Sequence, residues 1–488
     1  MVGVEPGKLI SQIRSMKEED IDWKKGRAWS LVYWIDEAHE KLLDDAAREL
    51  GSANYLNPLA FKSLHKMEQE VVHMTASMLH GDEHTVGVMS SGGTESILLA
   101  MFCYRQLAKK LHPRISRPEV VVPSTAHPAF DKAAILFDLV LRKVPVDESG
   151  KADVKSMEKF INGNTILLVG SAPGYPNGIL DPIDSISRLA AKYKLPLHVD
   201  ACIGGFMLPW VEKCGYTIDA WDFRVNGVTS ISADVHKFGF GAKGASVLLY
   251  RSMDYMQHQF IVTTDFPGGI YISPTLLGTR AGGPIAAAWA SLNSLGENGF
   301  MQLAKTLMDG AVQLKNRLQS MKGIQLIGHP CMNILSYSTI NNDPDIYVIA
   351  DKMEDMGWMV DRQQHPDCIH LTVLPTNVGV IDTYINDLQE ALDYARKHPE
   401  ATSRGNAAIY GLMARVPFRK MVERSVKKIM QEMFGAQEEQ EKRAIQPDHG
   451  VKKGSKFMGA VNRLLFAMAK RKRIRMSKRR KAKAGVYS

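Results

Sequence analysis

The chain has 488 residues, 45% hydrophobic and 23% charged, an ordinary globular balance and enough length for more than one domain. No run reaches the ~18 uninterrupted apolar residues of a membrane-spanning helix, and MVGVEPGKLISQIRSMKEED lacks the apolar core of a signal peptide. The formal charge of +9 is concentrated at one end: residues 451–488 hold fourteen Lys/Arg and no Asp/Glu, leaving 47 basic against 52 acidic residues elsewhere. Cys103, Cys202, Cys214, Cys331 and Cys368 are odd in number, spread out and free of any C-x-x-C pair. That pattern argues against a disulfide framework and a structural zinc site, and no metal is expected. A reducing, cytoplasmic location is the expectation.

No internal repeat is present. In chain order, DEAHEKLLDDAAREL predicts an amphipathic helix over 35–50 ending at Gly51, and 61–79 a second helix. From Thr94 onward, helical patterns alternate with short β-branched runs at 119–123, 165–170, 197–200, 230–233 and 245–250. That alternation predicts an α/β, mainly parallel, doubly wound sheet, with ligands beyond the carboxyl ends of its strands. Helices are expected from Pro284 to about Gly296 and from Asn298 into Lys322. Runs at 324–327, 334–338 and 369–373 then predict a smaller α+β domain. The expected division is an N-terminal helical and irregular segment (1–60), a large domain (61–322), a small C-terminal domain (323–435), and a linker with a basic tail (436–488).

Four segments carry chemistry. In SISADVHKFGFGAKGASVLLY, a β-rich run stops at Ala233, His236-Lys237 follows, and Gly239, Gly241 and Gly244 crowd the chain. A lysine among permissive glycines suits an amine held against a planar ligand, and it forms a Schiff base only when unprotonated. The alternative is an exposed lysine in a glycine loop. Ser90-Ser91-Gly92-Gly93-Thr94-Glu95-Ser96 opens a helix, where backbone N–H groups cradle phosphate; a plainly capped helix start is the other reading. It is not a Walker loop, since Gly-Lys-Ser/Thr is missing. Asp200 ends the apolar run LHVD, where a carboxylate can pair with a protonated ring nitrogen or simply cap a helix. His127 follows the 119–123 run, placed to stack on a ring or serving only its loop. Phosphate cradle, stacking histidine, aspartate and lysine occur in that order, and pyridoxal phosphate explains all four together.

The stretches VYWIDE, MSSGGTESILLA, PLHVDACIGGFML, DFRVNGVTSISADVHKFGFGAKGAS, TDFPGGIYISPTLLGTRAGG and GENGF resemble the sphingosine-1-phosphate lyases, within the group II pyridoxal-phosphate decarboxylase superfamily, over about residues 20–430. The resemblance implies a fold-type-I homodimer with its active sites between subunits. It implies Lys237 as the Schiff-base lysine, His236, Gly93 and Thr94 as phosphate contacts, His127 as the stacking ring, Asp200 as partner of the pyridine nitrogen, and Cys202 against the ring face. Tyr33, Tyr175 and Lys243 match positions that handle substrate or move protons, and Gly268, Gly269 and Tyr271 match a loop approaching the partner subunit's site. The implied reaction is retro-aldol cleavage of a phosphorylated long-chain base to a fatty aldehyde and phosphoethanolamine. The alternatives are an amino-acid decarboxylase on the same scaffold and a catalytically silent, tail-tethered scaffold. The chain departs from the family at Asn57-Pro58-Leu59-Ala60-Phe61, which is shorter and lacks a histidine that helps hold the substrate phosphate. It departs again at Phe238 and Phe240, where tyrosines are common. Eukaryotic lyases of the family also begin with a membrane anchor, whereas this chain starts almost at the catalytic body.

In the tail, Phe457, Val461, Leu464, Leu465 and Met468 recur at helical spacing among the positive charges. A basic amphipathic helix of that kind can lie on an anionic membrane surface. A solubilising tail or a nucleic-acid contact are the alternatives, the latter the least favoured.

Overall fold

A computed structural model describes residues 3–400 and a few positions between 420 and 434. The expected 401–435 helix falls almost wholly, and the linker and basic tail wholly, outside the described residues.

The large sheet has seven strands: β1 (Val86–Ser90), β2 (Glu119–Pro123), β3 (Val140–Val144), β4 (Thr165–Ser171), β5 (Leu197–Asp200), β6 (Val228–Ala233) and β7 (Ser246–Tyr250), in the order β1-β7-β6-β5-β4-β2-β3. β3, β2, β4, β5 and β6 run parallel, while β7 lies antiparallel to both β6 and β1. β2 and β4–β7 are buried throughout. This is why they read as continuous apolar runs rather than alternating ones, as strands covered on both faces do. The doubly wound reading holds. β1 and β3 went unpredicted: VGVMS carries a glycine, and VLRKV alternates too weakly to stand out.

A short antiparallel hairpin, β8 (Ile261–Thr263) and β9 (Tyr271–Ser273), follows. The helix Gly282–Ser320 comes next and breaks at Gly296 (φ 52°, ψ −171°). A left-handed φ is open to glycine at little cost, so the two helices expected on either side of that residue are the two halves of one interrupted element. A four-stranded antiparallel sheet completes the body: β10 (Ile324–Leu326), β11 (Ile334–Thr339), β12 (Asp361–Gln363) and β13 (Cys368–Thr372), ordered β10-β11-β13-β12.

The N-terminal segment is stitched to this smaller sheet. Met359 and Thr372 donate backbone N–H groups to the carbonyls of Arg27 and Trp29 (both 2.8 Å), and Asn377 Nδ2 donates to those of Gly26 and Ala28 (3.0 and 2.9 Å). Trp29 then packs its ring on Tyr384 at 4.7 Å. Residues 26–33 are thereby carried across the body, which delivers Tyr33 to the carboxyl-end side of the large sheet.

Candidate active site

β6 ends at Ala233, and the chain makes a twelve-residue excursion before returning as β7. Cross-links close the excursion: His236 N–H donates to the Ala245 carbonyl (3.0 Å), Gly241 N–H to Val235 (3.0 Å) and Lys237 N–H to Asp234 (3.2 Å). His236 Nδ1 accepts from Ala245 N–H at 3.2 Å, which leaves its Nε2 to carry the proton and face Asp234 Oδ2 at 3.6 Å. Lys237 Nζ lies 3.0 Å from the same Asp234 oxygen. Burial works against the charge on Lys237, but Asp234 chiefly, with Cys202 and Tyr33 in addition, outweighs it, and the amine is held well above the usual lysine range.

The helix Gly93–Leu111 starts beside this pair. A Cβ on Gly93 would fall 2.6 Å from Asp234 Oδ2 and 2.8 Å from Cys202 Sγ, and Gly92 sits at φ 151° with His236 Cε1 close by. Only glycine allows the helix start to approach so closely. The turn is fixed from below: Glu95 accepts the N–H groups of Ser91 (2.7 Å) and Leu276 (3.0 Å), and Ser90, Ser96 and Ser246 link their hydroxyls at 2.7 and 2.8 Å. Thr94 occupies the first turn.

Asp200 closes β5. Its Oδ1 accepts from Cys202 N–H (3.1 Å) and Ser232 Oγ (3.4 Å), and Cys202 Sγ donates to Ser232 Oγ (3.2 Å). Burial keeps the Cys202 thiol protonated, far above its ordinary range. Behind the aspartate, His198 is driven down to about 4 by burial and stays neutral.

Beside Lys237 lie Tyr33 and Lys243, with Tyr175 next to Tyr33. Lys243 Nζ sits 4.9 Å from the Tyr33 ring centre and donates to the carbonyls of Leu31 (3.0 Å) and His236 (3.2 Å). Burial, and then the charge of Lys237, lower its pKa to about 8. Burial raises Tyr33 to about 12. Tyr175 Oη donates to Asp361 Oδ2 at 2.9 Å and its ring stacks on His370 at 4.4 Å; burial first, and then Asp361, raise its pKa.

Lys237, His236, Gly93, Cys202, Tyr33 and Lys243 thus converge, with Asp200 adjoining through Cys202 and Tyr175 through Tyr33. His127 follows β2, exposed, with Nδ1 accepting from Ala129 N–H (3.2 Å). Asn57 instead serves its own turn, accepting from Leu59 and Ala60 N–H (3.0 and 3.3 Å). Tyr271 lies on the exposed β8–β9 hairpin, and among the described residues no hydrogen bond or ion pair joins it or Asn57 to the cluster. Sequence reasoning missed Asp234 as a functional group, although an acid three residues before the lysine was there to see. It also missed Asp361 and His370, which no local signal marks.

Two buried oxygens near the strand ends, Asp234 Oδ1 and Ser171 Oγ, have no hydrogen-bond partner within the protein. They mark a site that a further group completes, and the glycine-walled helix start beside the lysine suits the phosphate and the aldehyde of a phosphorylated aromatic aldehyde. The arrangement is that of a fold-type-I pyridoxal-phosphate enzyme.

Residues 45–339 match the pyridoxal-dependent decarboxylase conserved domain. The chain is 40% identical to sphingosine-1-phosphate lyase 1 of Rattus norvegicus over 86% of its own length and 74% of that protein's. It is 39% identical to the sphingosine-1-phosphate lyase of Oryza sativa over 85% and 78%. Among solved structures, the sphingosine-1-phosphate lyase of Burkholderia pseudomallei superposes with a TM-score of 0.78 at 39% identity, covering 82% of this chain and 93% of that one. Glutamate decarboxylase of Lactobacillus brevis, at 20% identity and a TM-score of 0.71, shares the fold. The chain belongs to the pyridoxal-dependent decarboxylase family and, within it, groups with the sphingosine-1-phosphate lyases. It is a pyridoxal-phosphate-dependent lyase.

Proposed function

We propose that this enzyme cleaves a phosphorylated long-chain sphingoid base to a fatty aldehyde and phosphoethanolamine. The observation that carries the reading is 40% identity to a sphingosine-1-phosphate lyase along 86% of the chain, and the cluster around Lys237 accords with it. Bound pyridoxal 5′-phosphate supplies an aldehyde for amines and a ring that takes up an electron pair. Lys237 would hold it through the side-chain nitrogen and would be the group that the substrate's amine replaces. Asp200 would keep a proton on the pyridine nitrogen, His127 would stack on the ring, Cys202 would line its face, and Gly93, Thr94 and His236 would receive the phosphate.

At the substrate end, Lys243 is the base for the C3 hydroxyl, because a pKa near 8 leaves part of it as free amine at neutral pH. As that proton leaves, the C2–C3 bond breaks and C3 becomes the aldehyde carbonyl. Tyr175, a phenol kept neutral by burial and Asp361, returns a proton to C2, and Tyr33 orients the chain between them. Asn57, in the shortened loop, is assigned to the substrate's polar end.

The working form is a homodimer. Val262, Phe266, Ile270 and Ile272 of the β8–β9 hairpin are exposed together, a patch suited to burial by a second copy, and Tyr271 would then reach the partner's site. No helix among the described residues is long and apolar enough to cross a membrane. The enzyme is cytoplasmic and meets anionic membrane surface through its basic tail.

The test incubates the purified protein with a sphingoid-base phosphate and, separately, with an amino-acid panel. Long-chain aldehyde from the first is the expected result. Carbon dioxide from the second, without aldehyde, would make the enzyme an amino-acid decarboxylase. A protein that stays colourless after reconstitution would overturn the enzymatic reading.

A further inference from the structure

Asp234 is 2% exposed, 3.0 Å from Lys237 Nζ through Oδ2, and without any partner at Oδ1. A carboxylate with one ion-paired oxygen and one buried, unsatisfied oxygen is costly unless something else completes it. What it faces is the helix start: both oxygens lie against the backbone of Gly93, where only a hydrogen instead of a Cβ leaves room. This is where a cofactor phosphate belongs, and a phosphate dianion and a carboxylate repel one another at that range.

We propose that Asp234 is a positioning and proton-accepting residue for cofactor capture: it holds Lys237 as an ammonium beforehand and takes that proton when the amine reacts. The inference rests on Lys237 being the cofactor's lysine. An ammonium has no electron pair with which to attack an aldehyde, so one proton must leave it first. The proton passes from Nζ to Oδ2. Condensation then forms the carbon–nitrogen double bond and releases one water, made of the aldehyde oxygen and the two hydrogens left on the amine. Asp234 ends neutral, and its carboxyl can donate to the phosphate that its carboxylate would have repelled.

Every other titratable group facing Lys237 is a poorer acceptor. Tyr33, from the N-terminal segment, and Cys202, after β5, are buried acids that already hold their own protons. His236, on the same excursion, has Nδ1 engaged by Ala245 N–H, and burial disfavours its charged form. Lys243, also on the excursion, is a second cation. Asp200 acts on Cys202, and Asp361 on Tyr33.

The experiment strips the full-length enzyme of cofactor and follows its recapture of pyridoxal 5′-phosphate by absorbance between about pH 6.5 and 9, corrected for ionisation of the free cofactor. In the wild type the proton stays inside the protein, so affinity should be nearly flat with pH. In Asp234→Asn it must go to solvent, and affinity should fall about tenfold per pH unit below a new midpoint. Parallel profiles for the two proteins would overturn the proposal. Infrared difference spectra of the wild type on reconstitution, with and without ¹³C-labelled aspartate, test it without any variant. A protonated-carboxyl band that appears on capture and shifts with the label is expected; its absence from the wild type refutes the transfer. Borohydride trapping followed by peptide mapping separates the two assignments, because label found away from Lys237 removes the lysine's role itself.

Discussion

The hydroxyl of Tyr175 donates to Asp361 across 2.9 Å, joining a loop beyond β4 of the large sheet to the first residue of β12 in the small one. His370 of β13 stacks on the same tyrosine and holds the loop through the Pro176 carbonyl at 3.0 Å. The phenol is therefore aimed by two residues nearly two hundred positions further along the chain. Tyr175→Phe should lower kcat by about 10²-fold or more, the scale of a lost acid–base group, with cofactor affinity unchanged. Asp361→Asn should lower kcat by about tenfold, and the double variant should be no worse than Tyr175→Phe alone, since the aspartate works through the tyrosine. Steady-state kinetics on the three variants decide it; additive losses would separate the two residues.

Lys243 sets a pH dependence. Its pKa, lowered to about 8 by burial and by Lys237, makes it ammonium below that pH and free amine above. As the base for the C3 hydroxyl it should give a rate that rises about tenfold per pH unit on the acid side and levels off above pH 8. Lys243→Gln should lose that limb along with most of the rate. A limb that persists in the variant would assign the base elsewhere.

Gly93 stands where the proposed cofactor cradle leaves no room for a side chain. A methyl group there would meet Asp234 Oδ2 at 2.6 Å and Cys202 Sγ at 2.8 Å. Gly93→Ala should fold, because Ala suits a first helical turn, yet lose at least tenfold in cofactor affinity. Equilibrium absorbance titration measures it, with circular dichroism as the check on folding.

Glu68 and Arg280 form a buried ion pair at 2.6 Å, and the same glutamate accepts Met89 N–H at 3.0 Å just ahead of the cradle. Arg280→Ala strands a buried carboxylate and should cost about 3–5 kcal/mol, whereas replacing both partners with apolar residues of similar volume should cost far less. Denaturant unfolding of the cofactor-loaded proteins compares the two.

Much of this was legible in the residues themselves. β2 and β5 lie at 119–123 and 197–200, as their apolar runs predict, because strands buried on both faces need no periodicity to betray them. Lys237, His236 and Gly93 announced themselves by local chemistry: an amine and an imidazole beside glycines, and glycines before a helix. Asp361 and His370 did not, since their meaning comes from contact with Tyr175 across the fold. Asp234 lay in plain view, but an acid near a lysine reads as a surface pair until burial shows otherwise. β12 escaped because Asp-Arg-Gln has no strand character of its own and pairs only because β13 lies beside it.

The reactive lysine sits on a single excursion between two hydrogen-bonded neighbours, β6 and β7, cross-linked within itself. Tyr33 comes to it from the N-terminal segment, and Tyr175 and Asp361 gather beside Tyr33 from two further stretches. Chain economy therefore puts the amine, its carboxylate and Lys243 together in one short cassette, while Tyr33, Tyr175 and Asp361 lie on stretches that can change without it. Substitutions near 33, 175 or 361 would alter the surroundings of the amine and leave the cassette that carries it untouched.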